Sequence, residues 1–172
     1  MARNWSLSFE PRAMDCNAPS AGASHDVLPT TLRPSVAFDQ TTDESTVIEW
    51  TMPSEHTGSG TLKARLLYAA NTTTAADDVR WDIVGEALTE NNNESANADS
   101  YGATADSGTG TFGTTAYAYR SVTITLTNFK ADEAPAAGDK CRLKITRDAN
   151  HATDDSLAAD CHVVGVEIWE EV

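Results

Sequence analysis

From residue 35 onward, apolar and polar side chains alternate one for one, in segments separated by turn-forming residues. Period two is what a strand half-buried against a core requires. The stretch RPSVAFDQTTDESTVIEWTMP, residues 33–53, sets the pattern: a short strand over 35–39, a polar turn, then a longer strand over 46–52. In that second strand Ile48, Trp50 and Met52 share one face, and Val47, Glu49 and Thr51 share the other. Burying Trp50 would remove about 200 Å² from water, worth several kcal/mol of transfer free energy.

The same alternation predicts strands over 61–69, with Leu62, Ala64, Leu66 and Tyr68 on one face, and over 79–88, with Val79, Trp81, Ile83 and Ala87. It returns over 121–129, where Val122, Ile124 and Leu126 oppose a threonine face suited to an exposed or inter-subunit surface. It returns again over 140–147, with Cys141, Leu143 and Ile145 inward, and over 161–169, apolar on nearly both faces as in a central strand. Trp5, Leu7 and Phe9 add one short strand at the start. About eight strands with almost no helix predict an all-β fold: a single antiparallel β-sandwich of jelly-roll type. The expected core is Trp50, Trp81, Leu66, Ile83, Ile124, Leu143 and Val164.

Residues 1–34 differ in composition from the rest of the chain. Pro11, Pro19, Pro29 and Pro34 interrupt any regular element, so this stretch reads as an extended, irregular N-terminal arm before a sandwich domain over 35–172. Its opening strand has two readings: an edge strand closing its own sheet, or an arm added to a neighbouring subunit. Residues 89–115 are nearly devoid of large apolar side chains apart from Tyr101 and Phe112, and a loop of that length is mobile or functional. Gly138 and Asp139 are expected to reverse the chain before the strand over 140–147.

At 172 residues the chain suits one domain with a core of its own. Twelve basic residues against 26 acidic ones give a net charge of −14, and the basic residues are scattered, which argues against nucleic acid as a partner. The acidity reads either as solubility and mutual repulsion between copies, or as a surface that docks on a basic partner. Cys16, Cys141 and Cys161 are too few for a disulfide framework and read as buried thiols. No apolar run reaches the length of a membrane span, and the first residues carry no apolar core of a signal peptide, so synthesis in a cytoplasm is expected.

The best metal candidate is the acidic loop RDANHATDDSLAAD, where Asp148, Asn150, Asp154 and Asp155 could offer oxygen ligands to calcium. Its spacing lacks the mid-loop glycine and terminal glutamate of an EF-hand, and Asp and Asn are ordinary turn formers. No histidine pairs with cysteine at zinc spacing, and no nucleophile elbow or phosphate-cradling glycine loop is present. The expectation is therefore no catalytic residue, no cofactor and no enzyme.

Four segments in order, RPSVAFDQTTDEST, WTMPSEHTGSG, AGDKCRLKITRDANHATDD and VVGVEIWEE, resemble the jelly-roll virion structural proteins of tailed bacteriophages, the capsid decoration or cement type in particular. The resemblance spans roughly residues 33–170 and implies an N-terminal arm, one sandwich and a symmetric, often trimeric assembly. It carries over no catalytic residue. The function it implies is a homotrimer on the outer capsid surface of a virion, bound to the major capsid protein and stabilising the shell by mass action. Trp5, Leu7 and Phe9 are then the expected anchor, and Tyr101 and Phe112 the expected subunit or shell contacts. The alternative is a tail- or fibre-associated receptor- or carbohydrate-binding module, for which a cluster of exposed aromatics at one end of the sandwich would speak.

Overall fold

A computed structural model describes residues 2–16, 22–29, 31–88, 101, 104–129 and 134–172. Strands β1 (Arg3–Phe9), β2 (Ser24–Val27), β3 (Pro34–Phe38), β4 (Glu44–Thr51) and β5 (Thr61–Ala70) are followed by β6 (Asp78–Leu88), β7 (Asp106–Thr111), β8 (Arg120–Thr125), β9 (Lys140–Arg147) and β10 (Cys161–Glu171). One 3-10 turn, Pro11–Ala13, follows β1.

The alternation around Trp50 is satisfied by β9. Pairing is antiparallel, with Trp50 opposite Cys141, Ile48 opposite Leu143 and Thr46 opposite Ile145, all buried. β6 lies on the other edge of β9 and places Ile83 beside Ile145. Together they build the sheet β4-β9-β6-β7, which faces a six-stranded sheet whose main path is β2-β3-β10-β5-β8. Within it, β3-β10-β5-β8 opposite β4-β9-β6-β7 is the strand order of a jelly roll. The fold is therefore an all-β, antiparallel sandwich.

Between the sheets, Trp81 meets Phe38 edge-on at 5.1 Å and Tyr68 at 5.8 Å, and Tyr68 meets Phe112 at 5.4 Å. Such aromatic pairs add about 0.5–1.5 kcal/mol each beyond the area they bury. Six of the seven expected core residues lie in this cluster; Val164 is also buried, but in a small satellite group on the outer face.

Three stretches differ from the sequence reading. Residues 24–27, expected to be part of an irregular arm, form β2 against β3. Residues 106–111 lie within the expected long loop and form β7 against β6. Its pattern was illegible because glycines take its inward positions: a Cβ on Gly110 would lie 1.6 Å from the Tyr68 hydroxyl oxygen, and one on Gly108 2.7 Å from Ile124. Finally, β8 ends at Thr125 instead of running to Phe129. Asp106 accounts for this, since its carboxylate accepts hydrogen bonds from the backbone N–H and side chain of both Thr127 and Asn128.

β1 belongs to its own domain. It pairs antiparallel with β10 from Arg3 opposite Glu171 to Phe9 opposite Val166. Trp5 is 9% exposed and packs edge-on against His56, and Phe9 packs edge-on against Trp50 at 6.2 Å. Of the two readings of the first strand, the free subunit takes the edge strand. Residues 1, 17–21 and 30 of the stretch expected as an arm lie outside the described residues.

Candidate functional site

Two strands share one edge of β10. β3 pairs with its first residues, Cys161 to Val163, and β1 with its last, Val166 to Glu171. Val164 and Gly165 lie between and have no strand partner on that edge; against β5 the register shifts at the same place. Bulges of this kind re-aim side chains and interrupt pairing. A groove of about 380 Å³ opens over the gap, floored by Val164, Gly165 and Leu67 and walled on one side by Phe9 and Glu10.

Arg33 stands on the other side. Its turn is closed by hydrogen bonds from Leu28 N–H to the Arg33 carbonyl at 3.0 Å and from Leu32 N–H to the Leu28 carbonyl at 2.9 Å. The guanidinium lies over the ring of Tyr119, 5.6 Å from its centre, and that ring is 41% exposed. Both segments carry backbone strain. Leu32 has φ of 50° and Tyr117 of 55°, two of the three non-glycine left-handed residues among the described residues. Each such residue costs about 1–3 kcal/mol and persists only where its surroundings impose it. Below them Leu28, Ala69, Val164 and Tyr117 pack into the satellite cluster that fixes the two segments to the sheet.

Charges close the groove at its far end. Glu167 binds Arg3 through one carboxylate oxygen and Arg65 through the other, the second contact at 2.6 Å. Arg3 also lies over Trp169, 4.3 Å from the ring centre, so this end is rigidly held. Arg33 has no carboxylate partner among the described residues. The arrangement offers an apolar floor, two guanidiniums, two carboxylates and an exposed aromatic, suited to holding a polar ligand with a planar or ring-shaped face.

A second polar cluster lies at one end of the sandwich. Glu170 is fully buried and accepts hydrogen bonds from Asn4 at 2.7 Å, the Thr57 hydroxyl at 2.9 Å and the Gly60 N–H at 3.2 Å. His56 Nε2 lies 2.9 Å from the Pro135 carbonyl, which requires a hydrogen on that nitrogen; Nδ1 lies 3.3 Å from Glu170, an electrostatic contact, not an aligned hydrogen bond. This network joins β1, the loop after β4 and β10.

Two of the four calcium candidates, Asp154 and Asp155, are taken up by arginines. Asp155 is bidentate to Arg147, with both side chains essentially buried, and Asp154 binds Arg80 at 2.8 Å. Carboxylates already paired with guanidiniums have no need of a cation, and no group of three or more metal-ligating side chains exists among the described residues. Of the expected partner contacts, only Phe9 lines the groove. Trp5 and Phe112 are core residues, Leu7 is half-buried against the core, and Tyr101 lies under Arg142 of the opposite sheet, 5.5 Å from ring to guanidinium. Arg33, Arg65, Leu67 and Tyr119 escaped the sequence reading because they come from separate segments. The signal present was the pair of tyrosines in AYAYR, just before the strand expected over 121–129.

No protein-family model matches the chain, and comparison with curated proteins found no relative. Solved structures similar to it include a family 36 carbohydrate-binding module in complex with calcium and xylotriose, at 16% identity and a TM-score of 0.47, with 94% of this chain and 98% of that chain covered. Another is the K1 cleaved adhesin domain of Lys-gingipain from Porphyromonas gingivalis W83, at 15% identity and a TM-score of 0.48, covering 95% and 97%. A third is a carbohydrate esterase of the Shiga toxin-encoding bacteriophage phi24B, at 11% identity and a TM-score of 0.41, covering 96% and 100%.

Proposed function

We propose that the protein is a non-catalytic β-sandwich binding module of the tail- or fibre-associated kind, whose groove over Val164 and Gly165 takes a carbohydrate receptor. The observation that carries this reading is the Arg33–Tyr119 wall. Two left-handed residues, Leu32 and Tyr117, flank the segments that hold a planar cation, Arg33, at the groove and back it with the exposed Tyr119 ring, and strain of that sort marks ligand clamps. Sugars are held in this manner, by a ring face and a few bidentate polar groups. Glu167 is ion-paired with both Arg3 and Arg65, which suits it to holding the groove's arginines in place. The test is titration of the intact protein with host surface polysaccharides. Binding that disappears in Tyr119→Ala and in Leu67→Arg, without loss of folding, supports the reading; no binding to any glycan sinks it.

A second reading keeps the capsid surface: a homotrimeric decoration protein docked on the major capsid protein of a virion. β2 favours it, because all four of its residues are exposed, Val27 at 44%, and it ends its sheet. An edge with no strand partner among the described residues can accept a strand or surface of a protein partner. Capture by shells lacking the protein, lost on Val27→Lys but kept by Tyr119→Ala, would favour this reading over the first.

A further inference from the structure

We infer that the ligand of the groove is a carboxylate-bearing glycan and that Arg33 reads the carboxylate. The inference rests on the carbohydrate-binding reading and narrows it to a substrate class. The other two arginines at the groove are already committed, Arg3 and Arg65 both to Glu167. Arg33 has no such partner among the described residues, although acidic residues outnumber basic ones by 26 to 12 in the chain. Its turn and the Tyr119 ring hold it where no side-chain carboxylate of the described residues reaches it. The guanidinium presents parallel N–H donors that match a carboxylate in two hydrogen bonds, and an arginine held by a ring loses little freedom on making them.

Local charge agrees. Arg3, Arg33 and Arg65 against Glu10 and Glu167 give three cations to two anions, a local +1 in a chain of net −14. Repulsion from acidic groups elsewhere fades over a Debye length of about 8 Å at physiological salt, while the contact pair does not. A neutral sugar could accept from Arg33 only through hydroxyl oxygens, without the charge that strengthens the bond to a carboxylate.

The experiment is calorimetric titration of the full chain with two matched probes: a short oligogalacturonate, and the same oligomer with its carboxyl groups reduced to alcohols. The expected result is binding of the acidic oligomer about tenfold or more tighter than the reduced one, in line with a charge-assisted hydrogen-bond pair. Arg33→Ala should bring the acidic oligomer to the level of the reduced one, and Arg33→Lys should keep part of the preference. Arg33 is exposed, so both variants should melt like the parent protein. Equal affinity of the parent for the two oligomers, or an Arg33→Ala variant that still prefers the acidic one, overturns the inference and leaves the glycan reading standing. Binding to neither oligomer nor to any other glycan removes both. Preference for a polyglutamate peptide over both oligomers also overturns it, making the ligand an acidic peptide.

Discussion

Arg147 places all five of its guanidinium hydrogens, two of them on the carboxylate of Asp155. Nε and Nη2 bond the two Asp155 oxygens at 3.0 and 2.9 Å; the remaining donors reach the carbonyls of Leu157, Asp39 and Ala159 at 2.7, 3.1 and 2.9 Å. Both side chains are at most 1% exposed. Removing one partner strands the other as an uncompensated buried charge, so Asp155→Ala and Arg147→Ala should each cost about 3–5 kcal/mol. Arg147→Lys should recover little, because an ammonium cannot span the same acceptors. Urea denaturation of the three variants is the check, and a loss below about 1 kcal/mol in Asp155→Ala would contradict the assignment.

Gly110 and Tyr68 are coupled by contact. A Cβ at residue 110 would lie 1.6 Å from the tyrosine hydroxyl oxygen and 2.6 Å from the carbon bearing it, while that hydroxyl has no hydrogen-bond partner among the described residues. Gly110→Ala should therefore destabilise by about 1–3 kcal/mol. Tyr68→Phe, which removes an unsatisfied buried oxygen, should be near neutral. The double variant should recover part of the loss, with a coupling of about 0.5 kcal/mol or more in a thermodynamic cycle. Additive losses would show that the two do not press on one another.

How far the sequence could be read depends on the physics of each element. Strands whose inward positions are large and apolar, such as residues 140–147, were legible to the residue, since alternation records which side faces the core. β7 was not, because its inward glycines yield to an aromatic supplied by β5. The acidic loop after β9 was legible as a cluster of carboxylates but not in its purpose. The clue was Arg147 itself, which continues the inward series Cys141, Leu143, Ile145 and so required a buried anion. The groove was illegible because it arises from the meeting of β1 and β3 on one edge of β10, a tertiary event no local pattern encodes.

Trp5 is a core residue, and its substitution should show this without any partner present. It is 9% exposed, packs on His56, and sits in the strand whose Asn4 bonds Glu170. Trp5→Ala should cost about 3–5 kcal/mol in the isolated subunit. Thermal melting at several protein concentrations decides the matter. An unchanged melting temperature together with lost binding to virion shells would instead make Trp5 an anchor for a partner.

Acid should weaken the fold in two steps, each with its own residue. His162 is held below its ordinary value, chiefly by burial, against the opposing pull of Asp26 and Asp160; Ser35 and Tyr117 complete its surroundings. The unfolded chain binds that proton more readily, so stability falls as pH drops below the ordinary histidine value of about 6.5. Glu170 gives the second step. Burial alone would raise its carboxyl, but hydrogen bonds from Asn4 and Thr57 and the nearby His56 ring outweigh it and hold it down at about 2. Its folded value lies below its unfolded one, so its contribution is complete above about pH 4.3 and is lost as pH falls toward about 2. Denaturation midpoints measured across this range should flatten below about pH 6.5 in His162→Gln, and between about pH 4.3 and 2 in Glu170→Gln. The glutamine at residue 170 should also lower stability at neutral pH, because it cannot serve the same donors with two acceptor oxygens. An acid limb unchanged in both variants would place the responsible carboxylates elsewhere, with Asp39 and Asp154, whose values are also lowered by their threonine neighbours, next in line.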